Sequence, residues 1–134
     1  MQKKEVHPVD FFKRLPESEL DIMLAVWTAE GEISAPEILS ALDRPLTASA
    51  LHSYLKRLEE KGFLSCRKEG KTNLYTPLIS KAHYQEEEGK TILGKLYAGS
   101  LRRFAAALHD GGSLRREDVA ELRAYLDQLE EEAR

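Results

Sequence analysis

Residues 47–77 read TASALHSYLKRLEEKGFLSCRKEGKTNLYTP, and the hydrophobic period changes once along them. Up to Gly62, Leu51, Leu55 and Leu58 recur at helical spacing, which predicts a helix from about Thr47 to Lys61. The Thr47 hydroxyl is placed to cap its first turn, and Gly62 is placed to stop it. Beyond Gly62 the period falls to two. Phe63–Arg67 reads as a strand, Glu69-Gly70-Lys71 as a turn, and Asn73–Thr76 as a return strand ended by Pro77. The helix face opposite the leucines carries Ser49, His52, Ser53, Lys56 and Arg57. Of these, Ser49, His52, Ser53 and Lys56 stand at i, i+3, i+4 and i+7 and so share one side.

Two further helices are expected upstream. Pro16 suits a first helical turn, and Leu20, Met23, Leu24 and Trp27 form an apolar stripe that ends before Glu30-Gly31. Ser34-Ala35-Pro36-Glu37 has the capping-box pattern and starts a second helix with Ile38, Leu39 and Leu42 as its apolar residues. Asp43-Arg44-Pro45 breaks it. Three short helices followed by a hairpin is the order of a winged helix-turn-helix. Residues 1–14 read as a polar arm containing Pro8 and the pair Phe11-Phe12.

The second half is helical throughout. Ser80 is placed to cap a helix over about Lys81–Ala98, with Ile92, Leu93, Leu96 and Tyr97 on one side. Ser100 is placed to cap another over about Leu101–His109, with Leu101, Phe104, Ala105 and Leu108 apolar. Asp110-Gly111-Gly112 separates it from a last helix over about Arg115–Glu131. There Val119, Leu122, Leu126 and Leu129 step by three and four, as in a coiled-coil seam. Some 50 residues in three helices make a poor core alone. Burial against a second copy of the chain is the simplest solution; folding back as a monomeric bundle is the other. The expected architecture is therefore mostly α with a small β-hairpin. An arm over 1–14 leads into a winged-helix domain over 15–79, and a helical dimerisation module follows over 80–134.

Charge says where to look for a partner. The 134 residues hold 20 basic and 23 acidic side chains, a formal net charge of −3. The distribution is uneven. Arg44 to Thr72 holds seven basic residues (Arg44, Lys56, Arg57, Lys61, Arg67, Lys68, Lys71) against the acids Glu59, Glu60 and Glu69, a local net of +4. A basic window in an acidic chain marks a candidate DNA footprint. A helix fits the major groove, and a following hairpin supplies phosphate contacts. The DNA-facing set is then Thr47, Ser49, His52, Ser53, Lys56 and Arg57 from the helix, with Arg67, Lys68 and Lys71 from the wing.

Other functions find less support. Cys66 is the single cysteine, so no internal disulfide or cysteine metal cluster is available, as suits a reducing compartment. His7, His52, His83 and His109 lack metal-ligand spacing. No metal or cofactor site is expected. No nucleophile–base pair or glycine-rich phosphate loop emerges, so no enzyme is expected. No apolar run is long enough to span a membrane, and residues 1–8 lack an apolar signal core. The expected location is the cytoplasm. Two alternatives to a DNA-binding repressor remain at this point: a winged-helix protein–protein adaptor without DNA binding, and a ligand-gated regulator.

Several segments together resemble a known family. Leu15-Pro16-Glu17-Ser18-Glu19-Leu20-Asp21-Ile22-Met23-Leu24-Ala25-Val26-Trp27 is similar to the opening of the penicillinase-repressor family (the BlaI/MecI/CopY type). Leu55-Lys56-Arg57-Leu58-Glu59-Glu60-Lys61-Gly62 resembles the end of its recognition helix. Tyr75-Thr76-Pro77-Leu78-Ile79-Ser80, Leu96-Tyr97-Ala98-Gly99-Ser100-Leu101 and Glu121-Leu122-Arg123 resemble its later parts. The resemblance implies a bacterial repressor that binds palindromic operators as a homodimer, often with TACA/TGTA half-sites. It implies dimerisation through the C-terminal helices, whose apolar faces supply the expected seam residues Leu93, Leu96, Tyr97, Leu101, Phe104, Leu108, Val119, Leu122, Leu126 and Leu129. It also implies release by proteolysis, triggered by a membrane sensor metalloprotease. The family's scissile Asn–Phe pair aligns with Ala107–Leu108, where both residue types differ. The paired C-terminal cysteines of the copper-responsive branch have no counterpart here. Ala50-Leu51 stands where members commonly carry Thr-Val or Thr-Ile.

Overall fold

The structure, a computed structural model, describes residues 14–133. The expected arm, with Phe11 and Phe12, lies outside the described residues apart from Arg14. Six helices and three strands follow in the order α1 (Glu17–Ala29), β1 (Ile33–Ser34), α2 (Ala35–Ala41), α3 (Ala48–Glu60), β2 (Leu64–Glu69), β3 (Thr72–Pro77), α4 (Lys81–Tyr97), α5 (Leu101–Asp110) and α6 (Arg116–Glu132). The chain divides into two compact units, Met1–Glu88 and Gly89–Arg134.

In the first unit, local chemistry sets each element's ends. Pro16 occupies the N-cap of α1, one residue before its first turn, and its carbonyl accepts from the Leu20 amide at 2.9 Å. Glu30 closes α1 in the left-handed region at φ 57°. Ser34 starts α2 through the expected capping box: its hydroxyl accepts from the Glu37 amide, and the Glu37 carboxylate accepts from the Ser34 amide at 2.9 Å. Thr47 caps α3, its hydroxyl accepting from the Ala50 amide at 3.0 Å. Gly70, at φ +64°, gives the two-residue turn Gly70–Lys71 its left-handed corner.

The sheet has three strands in the order β1-β3-β2, all antiparallel. The wing is thus more than the expected hairpin. β1 adds Ile33 opposite Tyr75 and Ser34 opposite Leu74. A two-residue strand shows no period in sequence, and Ser34 already read as a helix cap.

The core gathers Ile22, Met23 and Val26 from α1 and Ile38 from α2. Leu51, Leu55 and Leu58 enter it from α3, Phe63, Leu64 and Tyr75 from the wing, and Tyr84 from α4. The expected stripe on α1 is shifted rather than lost, since Met23 is buried and Leu20 and Trp27 pack against the core. The helix buries Glu19, Ile22, Met23 and Val26, while Leu24 is exposed and Leu20 and Trp27 are half-buried. Glu19 explains the rotation. The residue is only 2% exposed, and its carboxylate pairs with the Lys61 ammonium, which tethers the end of α3 to α1. Trp27 keeps its edge accessible to polar atoms and donates its indole N–H to the Ile79 carbonyl at 2.9 Å. Tyr84 roots α4 in this unit. Its ring lies 5.7 Å from Trp27 and 5.9 Å from Phe63, and its hydroxyl accepts from the Leu15 amide at 2.9 Å.

In the second unit, α4 ends with Ala98 and Gly99 at positive φ, and the Gly99 amide reaches back to the Leu93 carbonyl at 2.9 Å. The Ser100 hydroxyl caps α5 by accepting from the Arg103 amide at 3.1 Å. The Tyr97 and Phe104 rings meet at 5.1 Å. At the start of α6 the Asp118 carboxylate accepts from the Arg115 amide at 2.9 Å. None of the described residues of this unit is buried.

Candidate nucleic-acid interface

The orientation of α3 follows from its leucines. Leu51, Leu55 and Leu58 are wholly inside, which turns Thr47, Ser49, His52, Ser53, Lys56 and Arg57 outward. These six form one exposed, polar and basic surface at the start and middle of the helix. Two of them are further constrained. The Thr47 hydroxyl is occupied by the cap, and the Arg57 guanidinium lies 5.5 Å from the centre of the Tyr54 ring. The second contact is a cation–π geometry that holds Arg57 along the helix surface. Sequence reading missed it, although the i, i+3 spacing of Tyr54 and Arg57 was the available signal.

The wing adds Lys68 on β2 and Lys71 at its tip, both exposed. Arg67 is held differently. Its Nε and Nη2 donate to the two carboxylate oxygens of Glu32, the second at 2.8 Å, and Glu69 stands 3.7 Å away. Hydrogen bonding to Arg67 pulls the Glu32 carboxyl below its ordinary value of 4.5, and the same bond keeps Arg67 more firmly protonated. Glu32 lies 35 residues from Arg67, so no local pattern in the sequence pointed to it. Two other cations of the basic window are also engaged by acids while staying open to water. Arg44 bonds the Ser18 hydroxyl at 2.7 Å and pairs with Asp21 at 3.2 Å, and Lys61 pairs with Glu19.

Cys66 is exposed on β2 opposite Tyr75. Burial, and after it the neighbouring Cys66 thiol, push the Tyr75 phenol up to about 12. Among the described residues no group of His, Cys, Asp and Glu is arranged to hold a metal, and no helix is long and apolar enough to cross a membrane.

The residues expected at a dimer seam are all in the second half. Leu96 and Leu101 are each 67% exposed, and Val119, Leu122, Leu126 and Leu129 are also open. Tyr125, not singled out from the sequence, joins them on α6. Leu93, Tyr97, Phe104 and Leu108 are half-buried. Ala107 and Leu108 lie inside α5, where the Ala107 carbonyl accepts from the Gly111 amide at 3.0 Å.

Residues 15–128 match the family model described as penicillinase repressor. The chain belongs to the penicillinase repressor family. That is a family of DNA-binding transcriptional repressors, not of enzymes, and the expected kinship is met. The penicillinase repressor of Bacillus licheniformis is 29% identical over 87% of this chain and 94% of its own length. The methicillin resistance regulatory protein MecI of Mammaliicoccus sciuri is 22% identical over 82% of this chain and 90% of its own. Among solved structures, monomeric Bacillus licheniformis BlaI in complex with the blaP half-operator is 28% identical over 54% of this chain and 89% of that one, with a TM-score of 0.46. The polar face of α3 and the lysines of the wing belong to one compact unit of this chain.

Proposed function

We propose that this chain represses transcription as a homodimer on a palindromic operator in the cytoplasm. In this reading, residues 15–79 read DNA and residues 80–134 hold the dimer together. The observation that carries the DNA-binding part is the exposed face of α3, fixed by three buried leucines and continued by Lys68 and Lys71. Each protomer lays α3 in a major groove, with Ser49, His52, Ser53 and Lys56 toward base edges. Lys68 and Lys71 meet the flanking phosphates. The two-fold axis sets the half-sites about one helical turn apart.

The dimer part rests on the open apolar side chains of the second unit. Leucines at 48% and 67% exposure leave apolar area in water that a second copy would cover. Joining two reading heads makes the second half-site an intramolecular event, so loss of the dimer lowers occupancy without touching a DNA contact. Derepression follows the same logic: a membrane sensor metalloprotease would lead to cleavage at Ala107–Leu108 and sever α6 from the reading head. Because this bond lies in a helix, α5 has to unwind locally before a protease can bind it.

The test is fluorescence anisotropy of a duplex bearing a TACA/TGTA palindrome, against a scrambled duplex, over a salt series. The expected result is tighter binding to the palindrome with two chains per site and a steep salt dependence. Absence of salt-dependent binding to either duplex sinks the reading. For the seam, Leu122→Asp is expected to sediment as a monomer; a dimer at the wild-type affinity removes α6 from the interface.

A further inference from the structure

The wing carries three exposed cations, but one of them, Arg67, is already engaged by carboxylates. Arg67 sits in the middle of β2, opposite Leu74, and Leu74 is in turn opposite Ser34 of β1. Its side chain therefore reaches over β3 to the residue that leads into β1, Glu32. That residue is well supported. Ile33 and Ser34 pair with β3, and the Ser34 amide is bonded to the Glu37 carboxylate. The contact is side-on and two-pronged, using the Nε and Nη2 edge of the guanidinium. That edge is one with which an arginine grips a phosphate bidentately. Glu69, at 3.7 Å, places a second carboxylate beside the same group. Lys68 and Lys71, next to Arg67 and at the tip, are exposed.

We infer that Glu32 withholds Arg67 from DNA, so that the wing meets the phosphate backbone through Lys68 and Lys71, with Arg67 acting as a positioning residue that braces β2 against β1. This rests on the helix–wing reading proposed above and deepens it. It makes Glu32, a carboxylate outside both α3 and the hairpin, the residue that sets how many charges the wing offers. A phosphate that captured Arg67 would first have to displace a carboxylate already fitted to it.

The charge count can be read from the salt dependence of binding, because each phosphate contact adds about 0.9 to the slope of log affinity against log salt. The full-length chain would be measured on one duplex as wild type, Glu32→Gln, Arg67→Gln, the double variant and Lys71→Gln. Arg67→Gln is expected to keep the wild-type slope. Glu32→Gln, which frees the guanidinium, is expected to steepen it by about 0.9 per protomer. For a dimer that is about a twelve-fold larger loss of affinity between 50 and 200 mM salt. The double variant is expected to return to the wild-type slope.

A shallower slope in Arg67→Gln alone overturns the inference, because Arg67 would then already touch DNA. So does an unchanged slope in Glu32→Gln. A steepening that persists in the double variant overturns it too, since Glu32 would then act by direct repulsion. Lys71→Gln separates the two levels. Loss of about 0.9 per protomer places the wing on DNA whatever Glu32 does, whereas no loss removes the helix–wing reading and this inference with it.

Discussion

At the scale of single residues, the informative groups are the polar ones taken inside. Glu19 is a carboxylate among Ile22, Met23 and Val26, stabilised by one ammonium. Removing that partner leaves a buried charge, which costs about 3–5 kcal/mol for a fully enclosed pair. Lys61 is itself 31% exposed, so Lys61→Met is expected to cost less, about 1–3 kcal/mol, read as a lower urea midpoint. An unchanged midpoint would mean that water already solvates Glu19. Tyr75 makes a second test. Its phenol is raised to about 12 by burial, while in the unfolded chain it ionises near its ordinary 10.0. Between those values the unfolded chain has lost a proton that the folded chain keeps. The stabilisation is therefore complete below pH 10 and declines as pH rises through 12. Denaturation midpoints from pH 9 to 12 should fall, and fall less in Tyr75→Phe; equal slopes in both would assign the loss to other groups. The exposed residues of α3 were legible in sequence because three leucines fix their phase. Glu19 and Glu32 were not, because each is defined by a partner 42 or 35 residues away.

Elements were legible in proportion to the number of signals that agree within them. For α3, the leucine spacing, the Thr47 cap and the Gly62 stop coincide, and the helix lies within a residue of its expected ends. For α1 the ends were clear but the phase was not. Counting only apolar side chains selects Leu20, Met23, Leu24 and Trp27, whereas the helix turns Glu19 inward and lets Leu24 out. Period analysis treats every carboxylate as an outward residue, and a buried ion pair defeats it. β1 lies at the other extreme, since two residues cannot show a period of two. The cap of α3 has a measurable role. Thr47→Ala leaves the Ala50 amide without its side-chain acceptor and is expected to cost about 1 kcal/mol. Circular dichroism with urea would read it. Full retention of stability would mean that water replaces the hydroxyl at no cost.

For the whole molecule, the two units differ in how they are held. The described residues of the first unit share one core, from Leu15 to Tyr84, whereas the described residues beyond Glu88 include none that is buried. The sequence showed this imbalance, because three amphipathic helices have more apolar face than they can cover among themselves. It could not show what covers those faces. If a second copy does, stability becomes a matter of mass action, and the melting temperature should rise with protein concentration over the micromolar range. A melting temperature independent of concentration, at concentrations spanning dissociation, would argue for a self-sufficient monomer. A last consequence belongs to the separation within α3 between Leu51, Leu55 and Leu58, which hold the helix, and Ser49, His52, Ser53 and Lys56, which face water. Surface substitutions of this kind shift stability by about 0.5 kcal/mol or less. On the proposed reading those four are the letters that choose a target, and they can be rewritten while the grammar of folding stays intact. If they do choose it, lineages carrying this scaffold are free to drift toward new control sites, and an engineer can randomise the same four positions in one library and select for a new address.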